Sequence, residues 1–379
     1  MLGGITVLDL ASVGPAARAS RWLADYGARV IKIAPVPKDG SVQIEPPFHS
    51  YGGHRLMRRL CIDLKSDAGR EAFLRLAAAS DVVIESFRPG VMQSLGIGYD
   101  VVAERNPGIV YCSTSGYGQH GPHAQYAGHD LNYLAVGGFL ATTHPRADGG
   151  PPVPGATVAD SAGGGMHAAL AICAALVEGE GAYLDVSAAD GVLALMSLSI
   201  DEYLATGVEP GPRQTLLTGK YAFYDTYRCA DDKWVAVAAI EPKFYANLCR
   251  ELGCEQWTAH QMDDAVQDQV RADFAAAFAT KPRDEWADRL APADTCVSPV
   301  LSIAEVTEYP QFVERGRFVT ATHPSRGEFA QTGPVLAGQP QPPAPYRLQE
   351  YGVTNPGVLR DARYTDEEID ALVAQGVIA

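Results

Sequence analysis

Apolar positions in the first third of the chain switch between two periods. Ile5 to Leu10 (ITVLDL) is an apolar run of strand length. Pro15 then stands where a helix starts, Ala17, Leu23 and Ala24 fall along one side of it, and Gly27 closes it before the strand-like Arg29 to Ile33 (RVIKI). The unit recurs. SDAGREAFLRLAAAS opens on Ser and Asp, carries Phe73, Leu76 and Ala77 at helical spacing, and leads into Asp81 to Glu85 (DVVIE); a helix around Val101 to Arg105 precedes Gly108 to Ser113 (GIVYCS). Two long apolar helices follow between residues 159 and 206, separated by the strand-like AYLDV. The Gly- and Pro-rich GVEPGPRQTLLTG reads as a linker, beyond which YAFYDTYRC and KWVAVAA flank Ala230-Asp231-Asp232 as a hairpin. Helices near 242–252, 264–278 and 282–290, an extended QPQPPAPY and a C-terminal helix opening at Thr365-Asp366-Glu367-Glu368 complete the pattern. Strands alternating with helices predict an α/β fold with a large Rossmann-like parallel sheet, followed by a smaller α+β unit.

Composition narrows the function classes. The chain has 379 residues, enough for two domains, and its 30 Lys and Arg against 45 Asp and Glu leave a net charge of −15. That balance argues against nucleic acid as a partner, because a phosphate backbone is gripped by bulk positive charge. The seven cysteines are odd in number and contain no C-x-x-C pair, which suggests neither a disulfide framework nor a zinc site. No basic segment precedes an apolar stretch at the N-terminus, and no window reaches the roughly 18 uninterrupted apolar residues of a membrane span. The expectation is a cytoplasmic protein without a membrane span.

Several motifs bear on chemistry. Gly116-Tyr117-Gly118-Gln119-His120-Gly121 spells G-x-G-x-x-G after a strand, but Pro122 follows and no periodic helix or distant acidic residue completes a dinucleotide site. No phosphate-binding G-x-x-x-x-G-K-[ST] occurs either. His120, His123 and His129 fall close together; the first two read as solvated loop histidines, whereas His129, in Gly128-His129-Asp130, stands between a strand end and an apolar segment, where ligands of parallel sheets bind. Asp160 taken alone is a helix N-cap, yet Gly163-Gly164-Gly165 follow it directly, at a helix-propensity cost of about 1 kcal/mol each. Such glycines allow close approach and leave N–H groups for a ligand carbonyl or a developing oxyanion. Glu241, before Pro242, reads first as a cap of the next helix. Residues 51–75 hold Arg55, Arg58, Arg59, Lys65, Arg70 and Arg75 against Asp63, Asp67 and Glu71, a local sum of +3 suited to one small polyanion.

Long blocks in order, VLDLASVGP, LADYGARVIKI, IDLKSDAGREAF, ESFRPGVMQSLGIGYD, GYGQHGPHAQYAGHDLNYLA, ADSAGGGMHAAL, LDVSAADGVLALM, YAFYDTYRCADDKWVAVAAIEPKFY and CVSPVLSIAEV, cover nearly the whole chain. With these the chain resembles the family III CoA-transferases and, within them, the α-methylacyl-CoA racemases. The resemblance implies an interlocked homodimer with the active site between the large domain of one subunit and the small domain of the other. The large, CoA-binding domain then takes residues 1–215 and is completed by 310–379, leaving 216–309 as the small domain. It also implies that His129, in GHD-x-NY, and Asp160, in AD-x-x-GGG, form an acid/base pair, with Glu241, in EP-x-FY, partnering the histidine. Ile62, Asp63, Leu64 and Lys65, then Ser86, Phe87 and Arg88, and the loop Gly128, Asp130, Leu131, Asn132 and Tyr133 are implied to line the CoA site. Gly163, Gly164 and Gly165 are the backbone candidates for holding an enolate oxygen. The implied activity is racemisation of 2-methyl-branched fatty or sterol-side-chain acyl-CoA thioesters, with CoA as part of the substrate and no metal or other cofactor. The alternatives are a CoA-transferase that carries CoA between carboxylic acids through a thioester on Asp160, and a catalytically silent thioester-binding protein. His129 favours racemisation, since the transferases do not generally keep it. The chain departs from the family's common residues at Ala34-Pro35-Val36-Pro37 and at Met57.

Overall fold

A computed structural model describes residues 1–11, 13–37, 55–338, 346–349 and 354–379. It divides into two compact units, one of residues 1–137, 154–197 and 310–379, the other of residues 138–153 and 198–309. Residues 138–153 and 198–215 thus group with the second unit, while 310–379 groups with the first.

The first unit is built on six parallel strands in the order β3-β2-β1-β4-β5-β6. They are β1 (Thr6–Asp9), β2 (Arg29–Ala34), β3 (Met57–Cys61), β4 (Val82–Glu85), β5 (Val110–Ser115) and β6 (Ala182–Ser187). Successive side chains of a strand point to opposite faces, so a sheet buried on both sides needs apolar residues at every position. Val7, Val30, Met57, Val82 and Val110 accordingly pack on one face with Ala16, Ala19 and Leu23 of helix Gly14–Asp25 and Ala168 and Ile172 of helix His167–Glu178. Leu8, Ile31, Leu60, Val83 and Tyr111 pack on the other with Phe73 and Leu76 of helix Asp67–Ala78 and with Val358, Leu359 and Ile369 near the C-terminus.

Both expected capping signals are realised. Ser66 Oγ accepts the Gly69 N–H at 3.0 Å, and Thr365 exchanges bonds with Glu368 in a reciprocal capping box. The continuous helical stretch Ala159–Glu178 has the length and apolarity of a membrane span, but Ala168, Ile172 and Ala175 along it are buried in the core. An antiparallel pair, β10 (Phe318–His323) and β11 (Gly327–Thr332), with β12 (Tyr346–Arg347) parallel to β10, closes this unit. Of the extended QPQPPAPY, Gln339 to Pro345 lie outside the described residues.

The second unit contains the expected hairpin, β7 (Tyr224–Arg228) and β8 (Trp234–Ala238), joined by β9 (Val297–Pro299). Helices Pro242–Leu252, Gln267–Phe278 and Arg283–Leu290 cover it, with Phe223, Tyr227, Tyr245, Phe274, Phe278 and Trp286 as its core.

Candidate functional site

In the strand order 3-2-1-4-5-6 the winding reverses between β1 and β4, and the crevice at the carboxyl ends there is where open α/β sheets take ligands. Those residues singled out from the sequence that belong to the first unit collect on that edge. Ile62 to Lys65 leave β3, Ser86 to Arg88 leave β4, and the loop holding Gly116 and His129 leaves β5.

His129 is the N-cap residue of helix Asp130–Val136, and its N–H donates to Asn132 Oδ1 at 3.0 Å. Its side chain is exposed, whereas Tyr133 is buried beneath the same loop and donates its hydroxyl to the Gly128 carbonyl at 2.5 Å. Burial, with the charges of Asp160, Tyr117 and Asp130, pushes the Tyr133 phenol up to about 12. The Tyr133 ring explains two glycines: a Cβ on Gly116 or Gly128 would stand 2.5 or 2.7 Å from its Cε1. Gly118 and Gly121 take positive φ, and the Gln119 N–H points at the Asp185 carboxylate, 3.1 and 3.0 Å from its two oxygens. The G-x-G-x-x-G loop therefore already carries an anion of the chain's own, which disposes of the pyrophosphate reading. His123 stacks on Tyr126 with ring centroids 4.6 Å apart, as a loop histidine in an aromatic pair.

Asp160 is not a cap. It is the second residue of a π-helical turn, Ala159–Met166, which runs directly into helix His167–Glu178. Turns of this kind are rare and concentrate at functional sites. Its N–H donates to Asp130 Oδ1 at 2.8 Å, and the Ser161 N–H to the Thr157 carbonyl at 3.0 Å. Burial and then the Asp130 charge hold the Asp160 carboxyl above the usual carboxylate range, while Arg18 and His129 draw it down. The imidazole and the two carboxyls thus form one electrostatic cluster. Arg18 also donates from Nη2 to Thr157 Oγ1 at 2.6 Å, bracing the segment that enters the turn.

The three glycines after Asp160 are buried, and packing explains them. A Cβ on Gly164 would meet Pro15 Cβ at 2.6 Å, one on Gly165 would meet Arg18 Cβ at 2.7 Å, and one on Gly163 would meet the Ala188 carbonyl at 3.0 Å. They let the turn lie against helices Gly14–Asp25 and Ala188–Leu195, each of which starts at a strand's carboxyl end. This role is distinct from the oxyanion role expected from the sequence.

The polar row beneath the edge escaped sequence reasoning. Glu85, Ser113 and Asp185 are register neighbours across β4, β5 and β6. Glu85 is buried and accepts the Phe87 N–H at 2.7 Å, pinning the turn that presents Ser86 to Arg88. Burial pushes its carboxyl up to about 7, opposed by the Ser113 and Phe87 hydrogen bonds and aided by Asp185. For the two carboxyls the signal was present: Glu85 and Asp185 are each the lone acid late in a mostly apolar strand, Val82–Glu85 and Ala182–Ser187.

The expected basic patch does not survive folding as a patch. Arg55 is fully buried, holding Asp25 through Nε at 3.0 Å and Nη2 at 2.7 Å; Arg58 pairs with Asp361, Arg70 with Asp67, and Arg75 with Glu368. Arg59 is buried too, so of the six basic residues Lys65 remains an exposed cation without an ion pair among the described residues, as does Arg88 on the next loop. The Ile62 side chain belongs to the core and its backbone bridges Ile378; Asp63 donates its N–H to the Val377 carbonyl; Leu64 and Phe87 pack on the same core. Leu131 is exposed. Met57 is a buried sheet residue, so the departure there is one of core packing.

Glu241 belongs to the second unit, at the N-cap of helix Pro242–Leu252, where it is exposed and makes no capping hydrogen bond through its side chain. Its carboxylate is not consumed by the local role read first from the sequence.

An open, wholly parallel sheet that gathers acid–base side chains along its carboxyl edge is the layout of an α/β ligand-binding domain. The particular family is CoA-transferase family III, to which the chain belongs: the family model matches residues 2–349. Human alpha-methylacyl-CoA racemase is 34% identical over 385 residues, covering all of this chain and 97% of the racemase. The acetyl-CoA:oxalate CoA-transferase of Acetobacter aceti is 30% identical over 373 residues, covering 92% of this chain and 93% of that enzyme. The crystal structure of Rv3272 from M. tuberculosis superposes with a TM-score of 0.77 at 25% identity, over 93% of this chain and 96% of that one.

Proposed function

We propose that the protein racemises 2-methyl-branched acyl-CoA thioesters by removing the α-proton on one face and returning a proton on the other. The reading is carried by one observation: an exposed histidine and a partly buried carboxyl come from separate elements that are tied together, the Asp160 N–H donating at 2.8 Å to the side chain of Asp130, the residue next to His129. Inverting a carbon α to a thioester calls for two groups that hold opposite protonation states on either side of a planar enolate. Neutral His129 accepts the proton of one enantiomer while protonated Asp160 donates on the opposite face; the other enantiomer runs the roles in reverse. The environment suits this, because burial and Asp130 keep a proton on Asp160 to higher pH than an exposed aspartate would. Glu241 is the partner for the far imidazole nitrogen, fixing its tautomer and stabilising the imidazolium, across an interlocked homodimer. Lys65 and Arg88 are the cations offered to the CoA phosphates.

The second reading, CoA transfer between carboxylic acids through a thioester on Asp160, is favoured by the transferase at 30% identity. One experiment separates the two. The protein is incubated with a single 2-methylacyl-CoA enantiomer in deuterated water without an acceptor acid. Racemisation predicts α-proton exchange that is lost in His129→Ala. Absence of exchange, with CoA transfer once a free acid is added, establishes the transferase instead.

A further inference from the structure

His129 and Asp160 come from different elements, thirty-one residues apart, and their spacing needs a physical link. The described structure contains one. Asp130 follows His129 in the chain and is the first residue of its helix, and Asp130 Oδ1 accepts the Asp160 N–H at 2.8 Å. On the other side, the His129 N–H is held by Asn132 Oδ1 at 3.0 Å, so the backbone that carries the imidazole is itself fixed to the helix. A single acceptor therefore joins the neighbour of one proton carrier to the main chain of the other. A charged acceptor makes such a bond about twice as strong as a neutral one.

We propose that the Asp130 side chain is a positioning group, whose carboxylate sets the separation of His129 and Asp160. The inference rests on the racemase reading above and gives a role to the side chain of a residue that the family resemblance places in the CoA site. The same carboxylate has a second effect, because its charge stands beside Asp160 and favours the protonated form of that side chain. The other groups acting on Asp160 are Arg18 and His129, both of which favour its ionised form. Among the described residues, Asp130 is thus the neighbouring charge that opposes ionisation of Asp160.

Two variants separate geometry from charge. Asp130→Asn keeps an oxygen acceptor and removes the charge; Asp130→Ala removes both. The readouts are kcat and KM for α-proton exchange of a 2-methylacyl-CoA across pH, together with deuterium uptake at the amide of Asp160 by mass spectrometry. Asp130→Asn is expected to retain amide protection and KM while the pH limb controlled by Asp160 moves to lower pH. Asp130→Ala is expected to lose amide protection and about 10²-fold in kcat, the cost of an ångström of misplacement, with KM changed little. An unchanged pH profile in Asp130→Asn, unchanged amide protection in Asp130→Ala, or a loss in either variant that falls mainly on KM overturns the proposal. A wild-type protein that exchanges no α-proton refutes the racemase reading alone; the amide readout still decides the link between Asp130 and Asp160.

Discussion

The packing of the π turn against the helix that follows β1 offers the sharpest link between a single atom and the chemistry. Gly164 stands four residues beyond Asp160, and a Cβ there would lie 2.6 Å from Cβ and 2.8 Å from Cγ of Pro15. The proline ring opens its helix and cannot rotate aside. Ordinary carbon contacts begin near 3.4 Å, so in Gly164→Ala the turn and the helix must part by 0.8 Å along that line. Overpacking of this kind costs about 1–3 kcal/mol, and replacing glycine by alanine within a helix returns about 1 kcal/mol. The net expectation is a destabilisation of about 1 kcal/mol. Activity should suffer more than stability, because a displacement near 1 Å at a proton-transfer site costs about 10²-fold in rate. The assay is urea denaturation alongside the initial rate of α-proton exchange, with Gly155→Ala as the control, since a Cβ on Gly155 meets nothing within 4 Å. A Gly164→Ala protein with the wild-type rate would show that the turn does not position Asp160 through this contact.

Further outcomes follow from the buried charges and the loop. The Glu85 carboxyl is raised from an ordinary 4.5 to about 7, so the unfolded chain gives up that proton first. Glu85 should contribute a loss of about 3 kcal/mol of stability as pH rises from 4.5 to 7, the share of the slope that Glu85→Gln removes; equal slopes for the two proteins in urea midpoints across that range refute it. Arg55→Ala leaves the Asp25 carboxylate without its fully buried partner and should cost about 3 kcal/mol or more. A loss below about 1 kcal/mol would mean that Arg21, 3.0 Å from Asp25, compensates alone. Tyr133→Phe removes the bond to the Gly128 carbonyl and should cost about 1 kcal/mol while keeping the ring that packs on Gly116 and Gly128. Destabilisation well above that would place the energy in the hydroxyl rather than the ring.

The strands of the large sheet were readable where short, mostly apolar runs stand between helical segments, at ITVLDL, RVIKI, DVVIE, GIVYCS and AYLDV. β3 was not, because Arg58 and Arg59 sit in the middle of its five residues and disguise an edge strand as a charged segment. β10 and β11 were missed for a related reason: they form a hairpin in which only Ala321 and His323 are buried. The candidate site was legible as residue types, since His129, Asp160 and Glu241 each stood at an element boundary. Their surroundings were not. Asp160 read as a cap because eight residues of π turn running into an α-helix are too few to show their own wider i→i+5 period, and the hydrogen bond from the Asp160 N–H to Asp130 has no signature in local pattern.

By itself the sequence determined the alternation of strands and helices, the family, and the side chains available for proton transfer, because these depend on periodicity and on residue identity along short stretches. Tertiary structure decided which charges face solvent and which are spent. Arg55 lies thirty residues from Asp25 in the chain and 2.7 Å from it in space, and with the pairs Arg58–Asp361 and Arg75–Glu368 that closure spends most of a local +3 on carboxylates from elsewhere in the chain. It decided as well that the glycines after Asp160 serve helix contact and that Asp130 faces the Asp160 main chain. Both depend on segments brought together by burial of the two faces of the sheet, a long-range effect that local pattern does not encode.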